Sequence, residues 1–325
     1  MGKKLFCLLL SAIFFFETVG IAAAAVPETM QEKLTTAERT AYGNPQTGAL
    51  LDRVNKLEKD FEGSNSPRAS VMDRVDTIYG TLFDNTTAPS LLTQMNAIEW
   101  YITRSVSMDS IQKRVSAMEI AMTGKPSEGT YRQRIDSLAE LAFGTKEIPL
   151  TKMSMPANTL VKVSLATPVN AKNLKAGDRI EIKAEEDVVE NGMLLFAKGA
   201  PGYGEVTKVS AAKNFGRDAE VKIDFKMLRA IDGTDTPVVL GEESKQKMQS
   251  MAMAAGASVA GIALLGPIGI IGGVFVKGKN IDLPVGTELY IQTAQPTTLY
   301  GLATGEEDAA ETNMKTGAEK DAAVK

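Results

Sequence analysis

The sequence predicts an α + β chain of more than one domain: a region of short-helix repeats, then an antiparallel β-barrel or sandwich carrying an inserted apolar, glycine-rich helical hairpin. Three observations lead there. A pattern of basic and apolar residues recurs every 20 or 21 positions through the first half. After Gly144 the apolar period switches from that of a helix to that of a strand. Residues 251–276 are then an uncharged run of small and aliphatic side chains.

The first 25 residues read as a secretory leader. Lys3 and Lys4 give a positive start, Leu5 to Phe16 an apolar run and Ala22 to Ala25 a small-residue exit. The only cysteine, Cys7, lies inside this segment, and no lipobox precedes a cysteine. The chain of 325 residues has no histidine, which excludes Ser-His-Asp and Cys-His nucleophiles and histidine-ligated zinc. Without the leader, 34 basic and 39 acidic residues remain, net −5. So mildly acidic a surface gives no reason to expect nucleic acid.

Residues 26–147 form the repeat region. Lys33-Leu34, Arg53-Val54, Arg74-Val75, Gln94-Met95, Arg114-Val115 and Arg134-Ile135 start six copies of one unit. Each has a second apolar residue three positions on, followed by Glu in four copies (Glu38, Glu58, Glu99, Glu119). Apolar residues upstream (Met30, Leu50, Val71, Leu91, Ile111, Tyr131) and downstream (Tyr42, Phe61, Leu82, Ile102, Met122, Phe143) complete one stripe at helical spacing. Each unit is therefore a short amphipathic helix. Gly43, Gly63, Gly124 and Gly144 end four of them, and Pro45, Pro67, Pro89 and Pro126 occupy connections. Between Arg104 and Met108 there is neither glycine nor proline, so a continuous helix is open there. Helices this short must pack on one another or on another chain. The repeated Arg and Glu read as a solvated, weakly paired face; the alternative is a self-associating stalk or docking arm, with Arg53, Arg74, Arg114 and Arg134 as contact residues. The pattern resembles short "RLxxLExxxFG" repeats of uncharacterised envelope proteins of diderm bacteria, a resemblance that implies no chemistry.

The β-domain is expected over 148–300. Period-two alternation marks Leu160–Leu165, Arg179–Lys183 and Glu220–Phe225. Further strands are expected at Val188–Val189, Met193–Ala197, Gly204–Val209, Pro237–Leu240 and Thr287–Gln292. Asn191-Gly192 signals a two-residue hairpin, and Ile231-Asp232-Gly233-Thr234 another turn. The order of these segments, with the phrase Lys198-Gly-Ala-Pro-Gly and the Asp232-Gly233 turn, resembles a β-domain of uncharacterised bacterial envelope proteins. More remotely it resembles the C-terminal barrel domain of the outer-ring component of type IV secretion channels, which has an inserted helical antenna. That likeness implies a fold and, as an alternative function, a subunit of a secretion or export channel.

Three local features look chemical and are better read as structure. Gly199-Ala-Pro-Gly-Tyr-Gly204 lacks the Gly-Lys-Ser/Thr ending of a phosphate loop and opens no helix, so its glycines serve a strand bend. Asp232-Gly-Thr is a turn. The acidic run Glu185, Glu186 and Asp187 reads as a solvated loop rather than a cation site.

The insertion 251–276 is long enough to span a bilayer, yet Gly256, Gly261, Gly266, Gly269, Gly272 and Gly273 weaken it as a lone helix and Pro267 divides it. Lys245 and Lys247 before it balance Lys277 and Lys279 after it, which leaves no positive-inside orientation. A hairpin turning at Gly266-Pro267-Ile-Gly269 fits these facts, lying on a membrane or lining an oligomer; a single crossing and burial in the domain are the alternatives. Residues 301–325, rich in Ala, Glu, Asp, Lys and Thr, read as disordered.

The reading as a whole is a non-enzymatic exported envelope protein, periplasmic or associated with the outer membrane. It needs no cofactor or metal. Its expected partners are a membrane or further copies through 251–276, and an envelope protein or polymer through the repeats.

Overall fold

The computed structural model describes residues 29–210, 219–254, 275–278 and 281–305. The segment expected to be a leader, the glycines and proline of the insertion (Gly256, Gly261, Gly266, Pro267, Gly269, Gly272, Gly273) and residues from 306 on lie outside the described residues.

Six helices of 13 residues fill the first half: α1 Met30–Tyr42, α2 Leu50–Glu62, α3 Val71–Phe83, α4 Leu91–Thr103, α5 Ile111–Thr123 and α6 Tyr131–Phe143. Their starts are the six apolar residues that head each repeat. A Ser or Thr side chain caps five of them, at Thr29, Ser70, Ser90, Ser110 and Thr130, by accepting the N–H of the third helical residue. Ala49 precedes α2 without a side-chain cap. At the other end Gly43, Gly63, Gly124 and Gly144 adopt the left-handed conformation that closes a helix. The helix left open beyond Arg104 is not continuous. Arg104 itself takes the left-handed conformation (φ 55°), and its N–H bonds the Trp100 carbonyl, so α4 stops at Thr103.

The units pack on one another within the chain. Each helix touches the next, α1 meeting α2 through Arg53–Glu38 and Tyr42–Asp60, and α1 also meets α3 and α5 while α2 meets α6. The array thus winds back on itself, and Leu34, Leu57, Leu82, Met95, Met118 and Leu138 share one core. Phe61 of α2 and Tyr131 of α6 stack with ring centroids 5.0 Å apart.

The second half is antiparallel β-structure. A barrel is built from β2 Leu160–Leu165, β4 Arg179–Ala184, β7 Pro201–Ser210, β8 Ala219–Arg229, β9 Asp235–Val239 and β12 Glu288–Thr293. It runs β8-β7-β4-β2-β12-β9 and closes where β9 pairs back with β8. Val161, Val163, Ile180, Ile182, Val206, Ile223, Phe225, Leu289 and Ile291 fill the interior. Closure removes exposed edges, and β8 manages it by length: its last residues pair with β9 while its first pair with β10 Phe275–Gly278. A second sheet of β1 Leu150–Met155, β13 Thr297–Ala303, β6 Met193–Phe196 and β5 Val188–Glu190 packs on the barrel through Met155, Phe196 and Leu299. A small ladder joins β3 Val169–Asn170 to β11 Asp282–Leu283.

All eight expected strands are present, Leu160–Leu165 with the expected ends and the others with shifted ones. Asn191 (φ 50°) and Gly192 (φ 75°) make the predicted hairpin turn between β5 and β6. The glycines of the 199–204 loop do serve a bend. The pairing of β7 with β8 shifts register between Tyr203 and Gly204, and a Cβ on Gly202 would lie 2.5 Å from the Met227 carbonyl oxygen. The alternation did not reveal β1, β3, β10, β11 or β13. Because β13 runs to Ala303, the β-domain passes the boundary set at 300. Helix α7 Glu242–Ala254 was also not expected. It includes the first residues of the apolar run, and β10 takes the last. Its base is fixed to β12: Ser244 donates through N and Oγ to Gln292 Oε1 (3.0 and 3.1 Å), and Gln292 Nε2 donates to Asn158 Oδ1 (2.6 Å). Among the described residues no helix is long and apolar enough to cross a membrane.

Candidate interaction site: a charged ladder and the seam with the barrel

The four arginines singled out in the sequence form one recurring device. Each is the fourth residue of its helix and reaches the glutamate at the ninth position of the helix before. Arg53 donates to Glu38 through Nε (2.8 Å) and Nη2 (2.7 Å), Arg74 to Glu58 (2.9 and 2.5 Å) and Arg134 to Glu119 (2.9 and 2.6 Å), each using both carboxylate oxygens. Arg114 directs both nitrogens to Oε2 of Glu99 (2.9 and 2.5 Å). The glutamates also accept main-chain N–H groups eight residues on, from Gln46, Ser66, Ser107 and Ser127, each at 3.0 Å. A single carboxylate therefore ties its own helix, the following loop and the next helix together.

The solvated face expected of these residues is not what forms. Glu38, Glu58, Glu99, Glu119, Arg74 and Arg114 are all buried, so the charges are spent inside the chain. The recurring glutamate and arginine were legible; their partnership was not, because a paired and an unpaired charge leave the same mark in a sequence. The Arg74 hydrogen bonds hold the Glu58 carboxyl below the usual range, against an opposing push from burial. Around Arg114 burial is the larger influence and lowers its affinity for the proton, with Glu99 pulling it back.

The ladder has one gap. At the α3–α4 junction Tyr79 stands in the glutamate position and Gln94 in the arginine position, so neither charge is left without the other. Here the barrel docks. Asn85 Nδ2 and Thr93 Oγ1 both donate to the Asp232 carbonyl at 2.8 Å, and Asn96 Nδ2 donates to the Ile231 carbonyl at 2.8 Å. The tip of the β8–β9 turn is thus held by side chains of α4 and the loop before it. Asp232 is buried and stiffens this turn. One carboxylate oxygen accepts from Thr234 N (2.9 Å), the other from Tyr300 N (2.9 Å). Burial raises its proton affinity, and those two N–H groups oppose the rise.

Beside this turn Trp100, Ala97, Ile231, Leu194 and Leu302 make a small apolar seam, joined by Phe143 and Val106. Trp100 Nε1 donates to Asp187 Oδ2 at 2.9 Å. The acidic run is accordingly not one solvated loop: Asp187 serves the seam, Glu185 accepts from Ser164 Oγ, and Glu186 is exposed. Asn96 also joins ladder to seam, since its Oδ1 accepts from Arg114 Nη2 (2.6 Å) while its amide nitrogen holds Ile231. The repeat pattern did not single out Asn85, Thr93, Asn96 or Trp100. The signal available was departure from the repeat consensus, which the third unit shows at Tyr79 and Asp84 and the fourth at Gln94 and Arg104.

No protein-family model matches the chain, and no curated protein matches it. Among solved structures, ComB10 of the Com type IV secretion system of Helicobacter pylori aligns with 11% identity and a TM-score of 0.24. The alignment covers 44% of this chain and 88% of that one. The fold described above rests on the strand pairings and not on this likeness.

Proposed function

We propose that the protein is a non-enzymatic, exported structural or interaction protein of the cell envelope, periplasmic or at the outer membrane, whose barrel presents an apolar insertion to a membrane or to further copies of itself. One observation supports this above the others: the uncharged run begins and ends on the same barrel. Helix α7 leads into it from an anchor on β12, and β10 leaves it paired to β8. A segment so bracketed has both feet on one body, which suits an excursion that returns to its starting side. The small residues Gly256, Gly261, Gly266, Gly269, Gly272 and Gly273, with Pro267, permit the close packing such an excursion needs. The helical array serves as a contact module for an envelope protein or polymer. With Arg53, Arg74, Arg114 and Arg134 engaged inside it, those contacts fall to other surface residues.

The test is to replace residues 255–274 by a Gly/Ser linker of equal length and to fractionate cells producing either form. The natural chain is expected with membranes or in detergent-dependent oligomers, and the variant in the soluble fraction with its thermal transition retained. A natural chain that is already soluble and monomeric removes the proposal. In the alternative, a channel subunit, negative-stain images of the natural chain show closed rings.

A further inference from the structure

The fourth helical unit ends differently from its neighbours. Where units one, two, five and six place Gly43, Gly63, Gly124 and Gly144 in the left-handed conformation, unit four places Arg104, at a steric cost that glycine avoids. The conformation sets the guanidinium carbon 4.4 Å from the Trp100 ring and 5.8 Å from the Tyr101 ring. This platform is rigid. Trp100 is only 4% exposed and is pinned by Asp187, and Tyr101 stacks on Phe143 with centroids 4.6 Å apart. Tyr101 is nevertheless 42% exposed, and Arg104 is exposed with no ion-pair partner among the described residues. At 4.4 Å from the Trp100 ring centroid the Arg104 guanidinium is within cation–π range, and the exposed side chain retains N–H donors that suit a carboxylate.

We propose that this aromatic and arginine platform is a docking site for the acidic segment of the chain's own C-terminal tail, Glu306-Glu307-Asp308. Place and charge both favour that occupant. Gly305 lies three residues beyond Leu302, which sits in the same apolar seam as Trp100 and Phe143. Three consecutive carboxylates follow at once, with Glu311 close behind. Glu306, Glu307 and Asp308 follow Gly305 directly, so an extended chain carries them at most about 10 Å from it. The docked segment would cover Tyr101 and occupy the arginine that any other acidic partner would use.

The single tryptophan of the chain is Trp100, so the platform reports on itself. The experiment uses the full chain with Cys7→Ser and Thr312→Cys, a thiol-reactive dansyl acceptor at position 312, and energy transfer from Trp100. Transfer is expected to be high at low salt and to fall severalfold at about 1 M salt, where the screening length is about 3 Å. It should fall as far in Arg104→Gly, a substitution that installs the residue four other units carry and so keeps the helix end. A Glu306→Gln, Glu307→Gln, Asp308→Asn chain should match it. Transfer unchanged in Arg104→Gly overturns the proposal. So does sensitised acceptor emission that falls on mixing with excess unlabelled Trp100→Phe chain, which assigns the tail to a second copy.

Discussion

Glu119 accepts two hydrogen bonds from Arg134, Nε to Oε1 at 2.9 Å and Nη2 to Oε2 at 2.6 Å, and with them α5 is held to α6. The side chains are 3% and 11% exposed, so removing one partner leaves the other charge largely without solvent. Arg134→Gln is expected to cost about 3 kcal/mol, as breaking a buried pair does. The chain itself contains the remedy, in Tyr79 and Gln94 at the gap in the ladder. The double variant Glu119→Tyr with Arg134→Gln should therefore be more stable than Arg134→Gln alone. Urea unfolding of the two singles and the double forms a closed cycle that measures the coupling.

Acid should loosen the ladder first. Arg74 holds the folded-state carboxyl of Glu58 below its ordinary value of 4.5, so the unfolded chain takes up protons before the native one as pH falls. The stabilisation is present above that value and is lost as pH drops through the lower, folded one. Asp232 runs the other way. Its folded-state affinity is raised above the ordinary 3.8, the native chain binds the proton first, and stability from this group declines as pH rises through the window between the two values. Melting temperature against pH should show a steeper acid loss in Asp232→Asn than in the natural chain, and a shallower one in Glu58→Gln.

The seam depends on one buried indole N–H. Asp187→Ala deprives Trp100 Nε1 of its acceptor at 2.9 Å and should cost about 1–3 kcal/mol, whereas Asp187→Asn keeps an acceptor oxygen and should cost less. Asn96→Ala is expected to be worse than either, since it frees Arg114 from one side and the Ile231 carbonyl from the other. Chemical denaturation followed by the Trp100 emission reads all three.

Glycine is required inside the barrel by space rather than by φ. A Cβ at position 202 would meet the Met227 carbonyl oxygen at 2.5 Å and Leu228 Cδ1 at 2.9 Å, and the first of these is main chain that cannot step aside. Gly202→Ala should therefore destabilise by about 2–3 kcal/mol, at the upper end for overpacking. Gly177→Ala, with nothing within 4 Å of the added carbon, meets only the strain of its positive φ and should cost nearer 1 kcal/mol. Thermal melts of the pair separate crowding from backbone strain.

The six helices were legible because their stripe needs only local spacing, and their starts at Met30, Leu50, Val71, Leu91, Ile111 and Tyr131 follow from it. Strands such as Leu160–Leu165 were legible for the same reason: one face is wet and the other dry. Helix α7 was not, because Met248 is its only buried hydrophobic among Glu242–Met251 and no stripe develops. Strands β1 and β13 were missed because β1 exposes Thr151, Lys152 and Ser154 while β13 runs Leu299 to Leu302 buried without a break, so neither alternates cleanly.

The order of helical and strand regions, the type of the six repeat helices and of the alternating strands, the absence of histidine and the confinement of cysteine to residue 7 are settled by the sequence alone, since each is a property of neighbours or of a count. Whether Arg74 faces water or Glu58, whether the strands close into a barrel, and where the β8–β9 turn inserts were decided only in three dimensions. Those outcomes depend on which surfaces meet, and the burial that makes a charge seek its partner exists only once they have met.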